Sequence, residues 1–519
     1  MDNIRLRPRR PVTRAAVDGI IRTPRVRPRP VSSSPDSAPK PAAALPVKTT
    51  PPLPRLDMSL PGGPSQSSRR RVAGKRSSKS KKHGFGWWVK RTSLAALILV
   101  LGISGLLGLK AYSKLHKVFK GGGMAVALQA HVDPNLLKGE GDGRINILLL
   151  GKGGPGHDGP DLTDTMLLAS IDPVNKSMAL LSIPRDLWVA TPTGSSKINA
   201  VYANAKYKTL AKNPHDAAGA EANGIAAAEG IVGQVLGVPI HYYGMVDFTA
   251  FKQAVDTVGG VTINVPEDLV DPTMAWENGW NSVLARKGLQ NFNGKQALLY
   301  VRSRHTSARG DFDRTERQRL LITALEQKIL TAGTYTNPLK ISQLLSAFGD
   351  HVSTDLGTTD AVHLMNIMKT IDGGKISSVG LSDAPNNYVK TGSYAGQSIV
   401  QPVAGLADFS AIQSYVRNTL KDGYLIKENA SVTVLNGTSN PAAATNEAAV
   451  LHSFGYTVGA VGDAPTHDYT KTTLVDLTGG KDQYTKHYLE QRLNVTANTK
   501  LPANIQPGQA QFVIIVGQR

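Results

Sequence analysis

From Arg144 onward the chain alternates short apolar blocks with turn residues. INILLL (145–150), TMLLASI (165–171) and SMALLSI (177–183) are short, nearly continuous apolar runs and read as buried strands. AAGAEANGIAAAEGIVGQVLG reads as a helix, and GGVTINV (259–265) as another strand. ALLYVRSR reads as a strand leading into an arginine-rich segment. DRTERQRLLITALEQKIL has helical spacing with an Asp near its start, and two more helical stretches follow near 338–347 and 359–370. Strands alternating with helices predict α/β layers. Near residue 425 a second, smaller pattern begins. ASVTVLNGTSN reads as strand and turn, and PAAATNEAAVLHSFGYTV as a helix stopped at Gly455 before another strand. TTLVDL and QFVIIVG supply two more strands of a small α/β domain over 430–519, after a linker at 421–429.

The region before Arg144 differs. Between Arg91 and Lys110 lie 18 uncharged, mostly apolar residues, enough for a slightly short membrane helix. Trp87, Trp88 and Tyr112 flank it as interfacial aromatics do. No small-residue cleavage site follows, so the segment (87–112) reads as an anchor rather than a removable signal. Charge settles its orientation. Residues 1–91 carry 22 Lys and Arg against 4 Asp and Glu, a net of +18, and the whole chain is +20, so residues 92–519 hold only about +2. The Lys/Arg excess places the N-terminus in the cytoplasm and everything after the span, from a connector at 113–139 onward, outside. Residues 1–86, rich in Pro and Ser and poor in large apolar residues, read as a disordered cytoplasmic tail. The basic signal belongs to that tail, so no nucleic-acid partner is expected. The chain has no cysteine, which an external domain allows.

The stretch YVRSRHTSARGDFDRTERQR, Tyr300–Arg319, holds six arginines and three carboxylates. If YVRSR is extended, Arg302 and Arg304 share one strand face. In the following helix Arg314 and Gln318 share a face, with Arg317 beside them. Packed together, these elements bring several guanidiniums to one pocket, and Arg forks match phosphate oxygens. The alternative is a solvated face with Asp311, Asp313 and Glu316 as partners. A second constellation favours the pocket. SIPRD places Arg185 and Asp186 directly after a buried strand, where α/β sheets bind ligands. LTDTMLL places Asp164 at the start of another strand, as a metal ligand, a base or a turn residue. KINAVYA adds Lys197 and Asn199. The segment GKGGPGHDGPDLTD lacks the G-x-x-x-x-G-K-[ST] spacing of a P-loop and reads as a loop at the rim of the site.

These motifs in this order, NILLLG…LTDTMLLASIDP, LLSIPRD, KINAVYA, VDFTAFKQAVDTVGGVTINVP, FNGKQALLYVRSR and DFDRTERQ, resemble the LytR-CpsA-Psr family over about residues 140–420. Residues 430–519 resemble the LytR C-terminal domain. The resemblance implies a layered α/β catalytic domain outside the membrane. It implies a phosphotransferase that moves an anionic glycopolymer from undecaprenyl pyrophosphate to the C6 hydroxyl of N-acetylmuramic acid in peptidoglycan. By motif position, Arg185, Arg302, Arg304 and Arg314 would bind the pyrophosphate, assisted by Lys197 and Gln318. Asp164 would bind Mg²⁺ or activate the acceptor, and an apolar pocket would take the polyprenyl chain. One departure stands out. Many family members carry Asp two residues after the glycine ending the first strand; here that position is Gly153, and Asp158 or Asp161 is expected to replace the lost metal ligand. Two other readings remain open: hydrolysis of the polyprenyl pyrophosphate, and a catalytically weak wall-binding or regulatory protein.

Overall fold

The computed structural model describes residues 125–518 except 130, 193, 306, 332–348, 350, 384 and 507. The expected tail, the expected membrane helix, the first part of the connector and the helical stretch near 338–347 lie outside the described residues. No described helix is long and apolar enough to cross a membrane.

The central element is a mixed six-stranded sheet of β1 (Ile145–Lys152), β2 (Thr163–Asp172), β3 (Ser177–Ser182), β4 (Tyr242–Asp247), β5 (Val352–Thr354) and β6 (Ile376–Gly380), in the order β5-β4-β1-β2-β3-β6. β2 runs antiparallel to β1 and β3, whereas the β1–β4 and β3–β6 pairs are parallel. The apolar runs are nearly continuous because both sheet faces are covered. Leu148, Leu150, Met166 and Leu168 face one layer, which includes Tyr202 of α1 (Val201–Lys212) and Val232 and Val235 of α2 (Ala217–Leu236). Ile145, Ala169, Ile171 and Leu180 face the other.

A third apolar cluster builds the wall of the site. It joins α3 (Phe248–Thr257), the hairpin Val261–Val265/Gly288–Phe292, α4 (Gly294–Arg302) and α5 (Asp311–Thr331) through Val255, Ile263, Phe292, Leu299 and Leu321. The predicted strand ALLYVRSR is in fact α4. Its start is fixed by a capping box: the Asn293 side chain accepts from the Gln296 backbone N–H, and the Gln296 side chain accepts from the Asn293 backbone N–H. Residues 297–301 are all buried, so a short apolar run could not reveal its period. Gly294 lets α4 lie against the backbone of Lys252 in α3, where a Cβ would collide.

After α6 (Thr358–Met368), α7 (Ser410–Thr419) and α8 (Gly423–Glu428), the chain forms a four-stranded sheet of β7 (Ser431–Asn436), β8 (Thr457–Asp463), β9 (Thr473–Asp476) and β10 (Phe512–Val516), ordered β8-β7-β10-β9. α9 (Ala443–Phe454) ends at Gly455, whose φ of 96° needs a residue without Cβ. α10 (Gln483–Leu493) was not read from the sequence, where its polar surface obscures the few buried positions. This unit grips the segment that leads into β1. Arg492 Nε pairs with Glu140 at 2.6 Å, Tyr456 Oη donates to the same carboxylate at 2.7 Å, and His487 Nε2 meets the Leu137 carbonyl at 2.7 Å.

Candidate active site

Because β2 opposes its neighbours, its beginning and the ends of β1, β3 and β4 meet at one sheet edge. There the pairing slips. Gly151 faces Thr165 and Lys152 faces Thr163, so Asp164 stands unpaired in a bulge. Bulges re-aim a side chain out of the sheet. Arg185, just past β3, donates from Nη1 to Asp164 Oδ1 at 2.9 Å, and Asn199 Nδ2 donates to the same oxygen at 2.9 Å. Arg314, in the first turn of α5, donates from Nη2 to the Asp164 backbone carbonyl at 2.9 Å. Asp311 lies between the two arginines, 3.4 Å from Arg185 Nε and 3.1 Å from Arg314 Nη2.

The charges in this cluster pull against burial. Burial raises the pKa of Asp164, but the charges of Arg185 and Arg314 and the Asn199 hydrogen bond outweigh it, and the carboxyl stays below its ordinary range. At Asp311 burial wins over the same two arginines, and its pKa is raised. Arg185 Nε and Arg314 Nε are buried donors without a hydrogen-bond acceptor among the described residues. Asp311 Oδ1 is likewise buried and unmatched 3.4 Å from Arg185 Nε, so the donors and the acid face each other without good hydrogen-bond geometry.

Behind it opens a cavity of about 930 Å³, walled by Phe248, Phe251, Met274, Leu298, Leu321 and Leu325 among others. Asp164, Arg185, Arg302, Arg304, Arg314 and Gln318 all line it. Arg302 ends α4, pairs with both carboxylate oxygens of Glu277 at 3.0 and 2.7 Å, and lies over the Phe248 ring at 4.9 Å. Gln318 donates to the Val301 carbonyl at 3.4 Å. Arg302 and Arg304 thus reach one cavity from a helix end and the segment after it, rather than from one strand face. Glu277 was missed because nothing near it in sequence signals its pairing with Arg302.

Other expected residues lie elsewhere. Lys197 is not among the cavity-lining residues; it pairs with Asp186 at 2.8 Å, and Asp186 approaches Arg185 Nε at 3.6 Å. Arg317 is structural, donating to the backbone carbonyls of Tyr300 and Ser303 and to Ser307 Oγ. Arg319 is buried against Ser182, Ser378 and Asp383. Arg309 pairs with Asp313 and Glu316 at the surface.

Asp161, expected as a metal ligand, has other partners in the fold. Its Oδ1 pairs with Lys152 at 3.2 Å and Lys206 at 2.8 Å, and its Oδ2 accepts from Tyr207 Oη at 2.8 Å. Both oxygens are spent and two ammonium groups oppose a cation. A side chain at Gly153 would meet His157, whose Cβ is 3.0 Å from the position of an added Cβ. Among the described residues no group of three or more His, Asp or Glu is arranged to hold a metal. Among the described residues the hydrogen bonds to the Asp164 carboxylate all reach Oδ1, and Asp158 lines the same cavity. That donor set fits a magnesium ion held by one or two carboxylates with phosphate oxygens completing its shell.

The profile of the LytR_cpsA_psr family matches residues 110–402, and that of the LytR cell envelope-related transcriptional attenuator matches residues 429–519. The chain is 30% identical over 234 residues to the polyisoprenyl-teichoic acid–peptidoglycan teichoic acid transferase TagV of Bacillus subtilis, covering 43% of this chain and 54% of TagV. It is 27% identical over 421 residues to the cell wall biosynthesis protein LcpA of Corynebacterium glutamicum, covering 73% of this chain and 77% of LcpA. The alignment with TagV thus spans about half of that relative's length. The crystal structure of B. subtilis TagV aligns at 26% identity over 54% of this chain and 96% of TagV's crystallised chain, with a TM-score of 0.40.

Proposed function

The chain belongs to the LytR-CpsA-Psr family, and on the strength of its site we propose that it is a phosphotransferase of the cell wall, anchored in the membrane with its catalytic part outside. On this reading it moves an anionic glycopolymer from a polyprenyl-pyrophosphate carrier to a hydroxyl of peptidoglycan. One observation carries the reading: a cluster of guanidiniums around Asp164 opens directly into an apolar cavity. A hydrocarbon joined to a diphosphate has the same order of chemistries.

In the proposed reaction the acceptor oxygen attacks the phosphorus attached to the glycan. The bond from that phosphorus to the bridging oxygen breaks, and polyprenyl phosphate leaves. Arg185, Arg302, Arg304 and Arg314 face the oxygens that gain charge, and stabilise the transition state more than the ground state. Phosphoryl transfer of this kind depends mainly on positioning and electrostatics. Asp164, held ionised by Arg185 and Arg314, offers Oδ2 to the acceptor hydroxyl and takes its proton as the new phosphorus–oxygen bond forms. Mg²⁺, held by Asp164 and the substrate phosphates, would add charge neutralisation at the diphosphate.

The test is transfer of a lipid-pyrophosphate-linked glycan to peptidoglycan strands, with and without Mg²⁺. Covalent attachment of the glycan is the expected result. Release of glycan phosphate without attachment would make water the acceptor, and binding without turnover would favour a regulatory role. The anchor rests on the uncharged run 92–109 and the Lys/Arg excess before it. Protease added to intact spheroplasts is expected to remove the chain beyond residue 112 and spare the basic tail; a protected C-terminus would overturn the orientation.

A further inference from the structure

Two tryptophans of one short segment are exposed, and the first of them borders the cavity. Trp276 lines the cavity yet is 64% exposed, and Trp280 is 83% exposed. Trp280 also adopts a φ of 67°, a left-handed conformation that bulky residues avoid. Such strain persists where surrounding structure enforces it, and it concentrates at functional positions.

The surroundings do enforce it. Asp271 caps the turn through Thr273 N–H at 3.0 Å and is tied to Ser303 Oγ at 2.7 Å. Asn278 Nδ2 donates to the carbonyls of Asn281 and Val283, and Trp280 N–H to that of Ala275 at 2.7 Å. The segment is braced while its indoles stay largely exposed.

We propose that Trp276 and Trp280 form a lip that seats the mouth of the cavity on the surface of the lipid bilayer. Indoles favour the membrane–water interface, where the ring is half apolar and its N–H stays hydrated. Trp276 and Met274 both line the cavity. A sugar-stacking platform need not border an apolar cavity; a surface that passes a hydrocarbon chain from bilayer to cavity must. The chain's own length agrees. Fifteen residues, 110–124, separate the uncharged run from Ala125, a reach of at most about 50 Å. Exposed Arg286, Lys287 and Lys295 add positive charge, partly offset by Asp268, which pairs with Arg286 at 2.8 Å. The inference rests on the reading of the cavity as a polyprenyl site.

The chain has no cysteine, so single labels can be placed cleanly. The full chain, carrying a bimane label at Asn281→Cys, is reconstituted in vesicles of equal parts phosphatidylcholine and phosphatidylglycerol with brominated acyl chains. Relative to unbrominated vesicles of the same headgroups, a reference that cancels quenching by the neighbouring indoles, the label at 281 is expected to lose emission, and a control label at Thr470→Cys is not. Adding Trp276→Ser and Trp280→Ser should abolish the quenching at 281. Equal quenching at both positions, or quenching indifferent to the Trp substitutions, overturns the proposal. So does a label that ignores brominated lipid but is shielded by peptidoglycan strands, which assigns the indoles to sugar. Transfer is measured on the same samples with a short-chain, water-soluble donor. Its absence in the parent would sink the transferase reading and leave the quenching result standing; its survival in Trp280→Ser alone, a side chain outside the cavity lining, separates docking from chemistry.

Discussion

Glu277 holds Arg302 through both carboxylate oxygens, at 3.0 and 2.7 Å, at the mouth of the apolar cavity. Both bonds come from Nη1, so they are not the two-nitrogen fork that Arg offers to phosphate; Glu277 and the diphosphate still compete for the charge of one guanidinium. Glu277→Gln is therefore expected to tighten binding of a lipid diphosphate by up to about fivefold, since partly exposed pairs are worth about 0–1 kcal/mol. Titration calorimetry at low salt reads this directly, and weaker binding in the variant would mean that Glu277 orients Arg302 rather than occupying it.

The arginines separate by burial. Arg302→Ala and Arg304→Ala should leave the melting temperature nearly unchanged and lower transfer by about 10²–10³-fold, the cost of removing a transition-state donor. Lys at either position should rescue poorly, because an ammonium lacks the fork. Arg314 is 4% exposed and compensates Asp311. Its loss leaves Asp311 with Arg185 alone and takes a donor from the Asp164 carbonyl, so Arg314→Ala should cost up to about 3 kcal/mol of stability as well as activity. Arg309→Ala should change neither much. Thermal melts and transfer rates on the four variants decide; near-normal transfer by both Arg302→Ala and Arg304→Ala would refute the phosphate clamp.

For the cation, Asp164→Ala should abolish metal dependence, and Asp158→Asn should weaken Mn²⁺ binding measured by electron paramagnetic resonance in the presence of a lipid diphosphate. Asp161→Ala should leave that affinity intact and lower the melting temperature instead, because Lys152 and Lys206 lose their shared partner. A large loss of metal affinity in Asp161→Ala would contradict the pairing argument.

A pH effect is expected at a second cavity, lined by Glu229, Asp355 and Asp360. Burial, with the nearby Asp355 charge, pushes the Glu229 carboxyl up to about 7. Between the ordinary carboxylate range and about pH 7 the folded chain holds a proton that the unfolded chain has released, so stability falls as pH rises through that window. Glu229→Gln removes the penalty. It should stabilise the protein at pH 8 by no more than about 3 kcal/mol and have no effect near pH 4. Melting curves at the two pH values check the sign.

Much of this protein is legible in the order of its residues. Strands β1 to β3 announce themselves because both faces of the sheet are buried, so each position must be apolar. Gly455 marks the end of α9 because only a residue without Cβ suits that turn. The family likeness is carried by short motifs at strand ends, where sheet geometry presents side chains to a ligand. The remainder needed tertiary contacts. ALLYVRSR became a helix through the Asn293–Gln296 box and through burial on every side, which erases periodicity. Asp161 and Asp164 lie three residues apart and look alike in the sequence. Two lysines from elsewhere in the chain neutralise the first, and a one-residue slip between β1 and β2 turns the second toward the arginines. The six arginines likewise look equivalent along the chain; what each one does depends on the acid, carbonyl or cavity that packing sets against it. Those partners are distant in sequence, and no local pattern encodes them.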